Sequence, residues 1–393
     1  MRQDFFPILK KKLTERLQEG LNIGDQEVLE QIDQLLEESG RDNCLTVRDR
    51  ERLRKELFFS VRRLDLLQEL LEDPRITEIM VNGYNKIFVE KDGQVERWEK
   101  QFTSREKLED VIQQIVGRCN RVVNENFPIV DARLADGARV NVVLPPVALD
   151  GAILTIRRFP ERPVTMEQLL EWRSISPEAA EFLERLVRAG YSILIGGGTS
   201  TGKTTFLNVL SDYIPKGERL ITIEDNAELQ IQGVENLVRL EVKNANLEGN
   251  REITVRDLIK TALRMRPDRI VVGEVRGEEA LDLLQAWNTG HEGSLGTIHA
   301  NSCRDMLSRL ETMVLMGMQL PIEAVQRQIA SGVEILVHLG RWRGQRRVLE
   351  IAEITGFCNN QIQIAPLYLW QKKSRKLEKA GELCRREKLE REE

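Results

Sequence analysis

The chain has no C-x-x-C pair. Its five cysteines (Cys44, Cys119, Cys303, Cys358 and Cys384) are scattered along 393 residues. That excludes a zinc ribbon and a thioredoxin-like motif, and an odd, dispersed set suits thiols kept reduced in a cytosol. No apolar run approaches the ~18 residues of a membrane helix. The opening MRQDFFPILKKKL lacks the apolar region of a secretory signal. A soluble cytoplasmic chain is therefore expected, without an integral membrane segment but able to dock on a membrane protein. Aromatics are scarce at 5%, and 58 basic against 63 acidic residues leave a net charge of -5. Nucleic-acid binders stack bases on aromatic side chains and present a basic face, so no nucleic-acid partner is expected.

What is present is a hydrophobic fraction of 41%, enough for real cores. The length suggests two or three domains. Residues 1–75 read as helices. Val28, Leu29, Ile32, Leu35 and Leu36 recur at helical spacing, as do Leu53, Leu57 and Val61. Gly40 and the EDP at 72–74 punctuate them. From Ile76 the period shortens. IMVNG, KIFVEKDGQVERW and ARVNVVLPP read as strands, with turns at Asp92-Gly93 and Asp136-Gly137. With a helix near 108–116, residues 76–160 form an α+β domain. Pro160 and Pro163 mark a linker over 161–175. Ser176-Pro177 then starts a helix that Gly190 ends. Strands and helices alternate from there, predicting an α/β domain with a parallel sheet over 176–366. The densely charged stretch 367–393 reads as a solvated or disordered tail.

The strongest motif is YSILIGGGTSTGKTT. An apolar strand leads into Gly197, Gly198, Thr199, Ser200, Thr201, Gly202, Lys203, Thr204 and Thr205, a match to G-x-x-x-x-G-K-[ST]. The glycines let backbone N–H groups turn inward around phosphate oxygens. Lys203 adds a point charge, and the Thr204 hydroxyl is a Mg²⁺ ligand. The following helix contributes its positive N-terminus. ATP and Mg²⁺ are the expected cofactors.

Two further apolar runs end in acids: LITIE at Glu224 and RIVVGE at Glu274. In a doubly wound sheet such ends converge on the ligand crevice. Either one alone is an ordinary strand stopping in polar sequence; two beside a phosphate loop point to a metal and a hydrolytic water. In RIVVGEVRG the residue directly after the apolar run, where a metal-binding aspartate usually sits, is Gly273. Glu274 is read as the general base and Glu224 as completing the metal shell through water; the reverse assignment stays open, so both are candidate metal residues. His299, ending another apolar run, would reach the same crevice. His338 reads as a core histidine. Arg133, Arg139 and Arg157 are candidates for an arginine supplied from another domain or subunit.

The blocks DARLADGARVNVVLPP, LTIRRF, GGTSTGKTT, TIEDNAEL, RPDRIVVGEVRGEEA and TGHEGSLGTIHAN together resemble the type II/IV secretion ATPase superfamily, most closely its CpaF-type Flp/Tad (tight-adherence) pilus-assembly branch. The resemblance runs from about Ile76 to about Thr355. It implies a RecA-like P-loop ATPase domain behind a smaller α+β domain, assembled as a homo-hexamer. It also implies ATP-driven motion passed to an inner-membrane platform protein, with the ATPase held at the inner face of the cytoplasmic membrane. In that family pattern Glu224 falls in the Asp box, Glu274 is an atypical Walker B acid, and His291 and His299 form the His box. Glu292 and Cys303 depart from it. A conjugation-type secretion ATPase and a nucleotide-gated scaffold with little turnover are the alternatives.

Overall fold

The computed structural model describes residues 5–18, 25–43, 46–62, 64–91, 93–119, 121–134, 136–158, 163–243 and 252–391. Cys44, Asp92 of the first expected turn, and Pro160 of the expected linker lie outside them. The chain divides into two compact units at Glu161/Arg162.

The first unit opens with α1 (Phe5–Gln18), α2 (Asp25–Asn43) and α3 (Val47–Arg62). Leu9, Leu13, Val28, Ile32, Leu35, Leu36, Leu53 and Leu57 form their shared core. Helix α2 runs through Gly40 rather than stopping there. A short α4 (Leu67–Glu72) leads into β1 (Ile76–Asn82), β2 (Ile87–Lys91), β3 (Gln94–Trp98), α5 (Arg105–Arg118), β4 (Ile129–Arg133), β5 (Arg139–Val143) and β6 (Ile153–Arg157). The strands form one antiparallel sheet in the order β3-β2-β1-β6-β5-β4. Alternate residues such as Ile79, Val81, Val140, Leu154 and Ile156 share a core with Leu108, Val111, Ile112 and Ile115 of α5. This is the period-2 pattern of a half-buried sheet. Ser104 starts α5 by accepting the Lys107 N–H.

The second unit contains α6 (Met166–Glu171), α7 (Pro177–Arg188), β7 (Ile193–Gly197), α8 (Lys203–Ser211), β8 (Leu220–Glu224), β9 (Leu237–Glu241), α9 (Val255–Ala262), β10 (Arg269–Val275), α10 (Glu279–Asn288), β11 (Leu295–His299), α11 (Cys303–Gly317), α12 (Ile322–Gly332), β12 (Ile335–Trp342), β13 (Gln345–Cys358), β14 (Gln361–Gln371), β15 (Lys376–Lys379) and α13 (Glu387–Glu390). Its sheet runs β15-β14-β13-β12-β7-β11-β10-β8-β9. Pairing is parallel from β12 through β9 and antiparallel from β12 through β15. Strands β7 and β8 are buried at every residue, because helices cover both faces. Leu194, Ile221, Ile223, Ile270 and Val272 face the core with α9 to α12. Ile193, Ile195, Leu220 and Val271 face the core with α7 and α8. This is a doubly wound, RecA-like P-loop domain.

Two segments differ from the sequence reading. The stretch expected as a linker carries α6, which Thr165 starts with a capping box and which buries Met166 and Leu169 in the second unit's core. The stretch expected as a solvated tail is folded. Leu377 and Leu383 are buried, and the Glu353 carboxylate, 1% exposed, accepts the backbone N–H groups of Cys384 (2.7 Å) and Arg385 (2.8 Å). Lys388 reaches Glu334 at 2.8 Å and the Gly190 carbonyl at 2.9 Å.

Candidate nucleotide site

The site lies at the carboxyl ends of β7, β8, β10 and β11, which parallel pairing aligns along one edge of the sheet. Strand β7 delivers the glycine-rich loop. Gly202, at φ 95°, sits in the left-handed region that glycine tolerates and precedes α8. No side chain caps α8, so its first N–H groups face outward as donors for an anion.

Lys203 is 8% exposed, and its Nζ donates to the Gly198 carbonyl at 3.1 Å. Desolvation by burial lowers its pKa, partly opposed by Glu274. Nζ also lies 3.4 Å from His299 Nδ1. An ammonium only donates, so Nδ1 is the acceptor and the proton of a neutral imidazole rests on Nε2. Burial, the leading cause, pushes the His299 pKa below its ordinary value, which favours that neutral form. His299 Nε2 is 2.7 Å from Glu274 Oε1, close but out of line for a hydrogen bond. Glu274 Oε2 accepts from Arg276 Nε (2.9 Å) and Nη2 (2.6 Å). Arg276 Nη1 reaches Asp225 Oδ2 at 2.8 Å. A continuous polar chain thus runs from the phosphate loop through Lys203, His299, Glu274 and Arg276 to Asp225.

Glu224 explains the glycine of RIVVGEVRG. Strands β8 and β10 pair in parallel with Ile223 opposite Val272. A Cβ on Gly273 would meet Glu224 Cγ at 3.1 Å and Cβ at 3.5 Å. The Glu224 side chain packs where a side chain at 273 would start. Its Oε1 accepts the N–H groups of Glu228 and Leu229, each at 2.9 Å, while Oε2 is buried without a hydrogen-bond partner. Glu224 is 2% exposed, and burial, partly offset by those two N–H groups, lifts its pKa to about 7. An orphaned buried carboxylate oxygen calls for a proton, a water or a cation. These features fit a nucleoside triphosphate with a hydrated divalent cation: uncapped helix N–H groups, an ammonium on a loop carbonyl, and a carboxylate oxygen lacking a donor.

Thr204 and Thr205 lie in the first turn of α8. His291 is not brought to this cluster. It precedes β11, at the opposite end of that strand from His299, and its Nδ1 lies 3.1 Å from the Ala286 carbonyl. His338, on β12 opposite Gly196, is buried as a core histidine. Arg133, Arg139 and Arg157 lie in the first unit and share one row of its sheet, Arg133 paired with Arg139 and Arg139 with Arg157. Arg133 Nε donates to the Gly137 carbonyl at 3.1 Å. Sequence reasoning missed Arg276 and Arg341; the latter donates to the Ser200 carbonyl of the phosphate loop at 3.0 Å. The only signal for either was a basic residue just past, or near the end of, an apolar strand.

This edge of the sheet gathers the glycine-rich loop and the ends of the acidic strands. Residues 62–362, well over half of the chain, match the family described as Type II/IV secretion system protein, and the chain belongs to that family of secretion ATPases. A Mycobacterium tuberculosis protein named for conjugal transfer is 38% identical over 296 residues, covering 73% of this chain and 83% of its own. The type IV secretion system protein PtlH of Bordetella pertussis is 32% identical over 317 residues, covering 73% and 93%. Among solved structures, the pilus retraction motor PilT with bound ADP shares the fold, with a TM-score of 0.55 at 21% identity over 84% of this chain and 86% of its own. Among the described residues no helix is long and apolar enough to cross a membrane.

Proposed function

We propose that this chain is the Mg²⁺-ATP-driven motor of a type IV secretion or conjugal-transfer machine. It would work as a homo-hexamer at the inner face of the cytoplasmic membrane and push on an inner-membrane platform protein. The observation that carries the enzymatic half is the chain of contacts joining Lys203, His299 and Glu274 at three adjacent strand ends. Bound Mg-ATP would supply the transferable phosphoryl group and the charge-neutralising cation. Thr204 offers a hydroxyl to the cation and Glu224 a carboxylate to its outer water shell. Glu274 would accept the proton of the attacking water, with the His299 ring lying between that carboxylate and Lys203. Arg133, Arg139 and Arg157 would add positive charge as the units close or subunits assemble.

The machine half rests on the relatives. Their names speak for conjugal transfer and type IV secretion, whereas the sequence blocks lean toward Flp/Tad pilus assembly, which stands as the second reading. A scaffold that binds without turnover fits less well, because His299 lies between the phosphate-loop lysine and Glu274. Purified protein should hydrolyse ATP in a Mg²⁺-dependent way, and Lys203→Ala should abolish it. Undiminished hydrolysis in that variant would overturn the reading. Deleting the gene and scoring DNA transfer, effector secretion and pili separately would identify the machine.

A further inference from the structure

We propose that Arg276 is a positioning residue that holds the Glu274 carboxylate in its working orientation and ties it to Asp225. This deepens the motor reading and rests on it. Arg276 is the first residue past β10, two residues after Glu274. Its backbone is pinned: the N–H groups of Arg276 and Gly277 both donate to Glu279 Oε1, at 2.6 and 2.9 Å, in the first turn of α10. From that fixed base the guanidinium makes two converging contacts to a single oxygen, Glu274 Oε2, leaving Oε1 on the His299 side. Its third nitrogen holds Asp225, directly after β8. One planar fork thereby joins the ends of two paired strands and fixes which Glu274 oxygen, Oε1, is turned toward His299. A lysine, with a single nitrogen, could not span both acids.

The Arg276 side chain is 62% exposed, so these ion pairs contribute little to folding. Their geometry within the site matters through orientation, where small misplacements of a catalytic group cost large rate factors. The charges around Glu274 come from Arg276 on its own strand end, Lys203 on α8, His299 on β11, Arg309 on α11, and Asp225 and Glu228 after β8.

The test uses the full chain. Arg276→Gln should lower kcat about tenfold or more and leave the affinity for a non-hydrolysable ATP analogue within about threefold. Arg276→Lys should recover part of the rate. A kcat within about twofold of the parent would overturn the proposal. So would an affinity loss as large as the rate loss, which would make Arg276 a phosphate contact instead. Asp225→Asn, which spares the direct pair with Glu274, should lower kcat several-fold at unchanged affinity; an unchanged kcat overturns the bridge. If the parent protein itself shows no hydrolysis, the motor reading fails. A crystal structure of nucleotide-free Arg276→Gln then decides the positioning role alone: a displaced Glu274 carboxylate supports it, an unmoved one refutes it.

Discussion

At the scale of single residues, the glycine at 273 and the acid at 224 are one feature. Side chains of neighbouring parallel strands share a face, and there is room for only one there. Gly273→Asp should therefore impair folding or Mg-ATP turnover, while Gly273→Asp combined with Glu224→Gly should recover stability relative to the single variant; thermal melts of the three proteins check this. Glu274→Gln should keep nucleotide affinity and lose about 10²- to 10⁴-fold in kcat. Equal turnover would transfer the base role to Glu224. Glu224 also has a pH signature. Its folded pKa, about 7, lies above the ordinary 4.5, so between those values the folded state keeps a proton that the unfolded state has lost. Nucleotide-free stability should fall as pH rises through that window and level off above it. Glu224→Gln should match the parent near pH 4.5 and exceed it at pH 8 by at most about 3 kcal/mol, read by denaturant titration. From sequence, Lys203, Glu224, Glu274 and His299 were legible because each ends an apolar run or sits in a spaced glycine motif. The Gly273–Glu224 exclusion was not, since it depends on which strands are neighbours. His291 was assigned with His299 through the family resemblance; the intervening β11 carries the two to opposite ends of that strand.

At the scale of elements, the central strands were readable as unbroken apolar runs, and α7 from Ser176-Pro177 and its buried Ala179, Ala180, Leu183, Leu186 and Val187. The final segment was not. Its buried residues, Leu367, Tyr368, Leu377 and Leu383, are too sparse to show a period, and lysines and glutamates stand among them. What orders it is long-range: backbone N–H groups of Cys384 and Arg385 on Glu353, and the Tyr191 hydroxyl donating to the Arg385 carbonyl at 2.5 Å. Glu353→Ala leaves two N–H groups without their acceptor and should cost about 2–4 kcal/mol, measured as a shift in the urea midpoint. A loss under about 0.5 kcal/mol would mean that the segment does not depend on this anchor.

At the scale of the whole molecule, two units carry complementary parts of the proposed machinery: the phosphate loop and acids in one, a row of three arginines in the other. If that row acts in an assembled ring, ATPase activity per subunit should rise with protein concentration, and Arg139→Ala should lower the plateau without changing the hexamer population seen by mass photometry. A concentration-independent rate would confine the reaction to a single chain.

The Glu353 anchor has a consequence for synthesis. A nascent chain that has delivered everything through β13 still carries a carboxylate awaiting partners some thirty residues downstream. At roughly 5–20 residues per second, the first unit can settle on the ribosome well before that acceptor is filled. The second unit thus matures after the first, and a chain stalled before Cys384 would leave the Glu353 carboxylate without its two N–H donors.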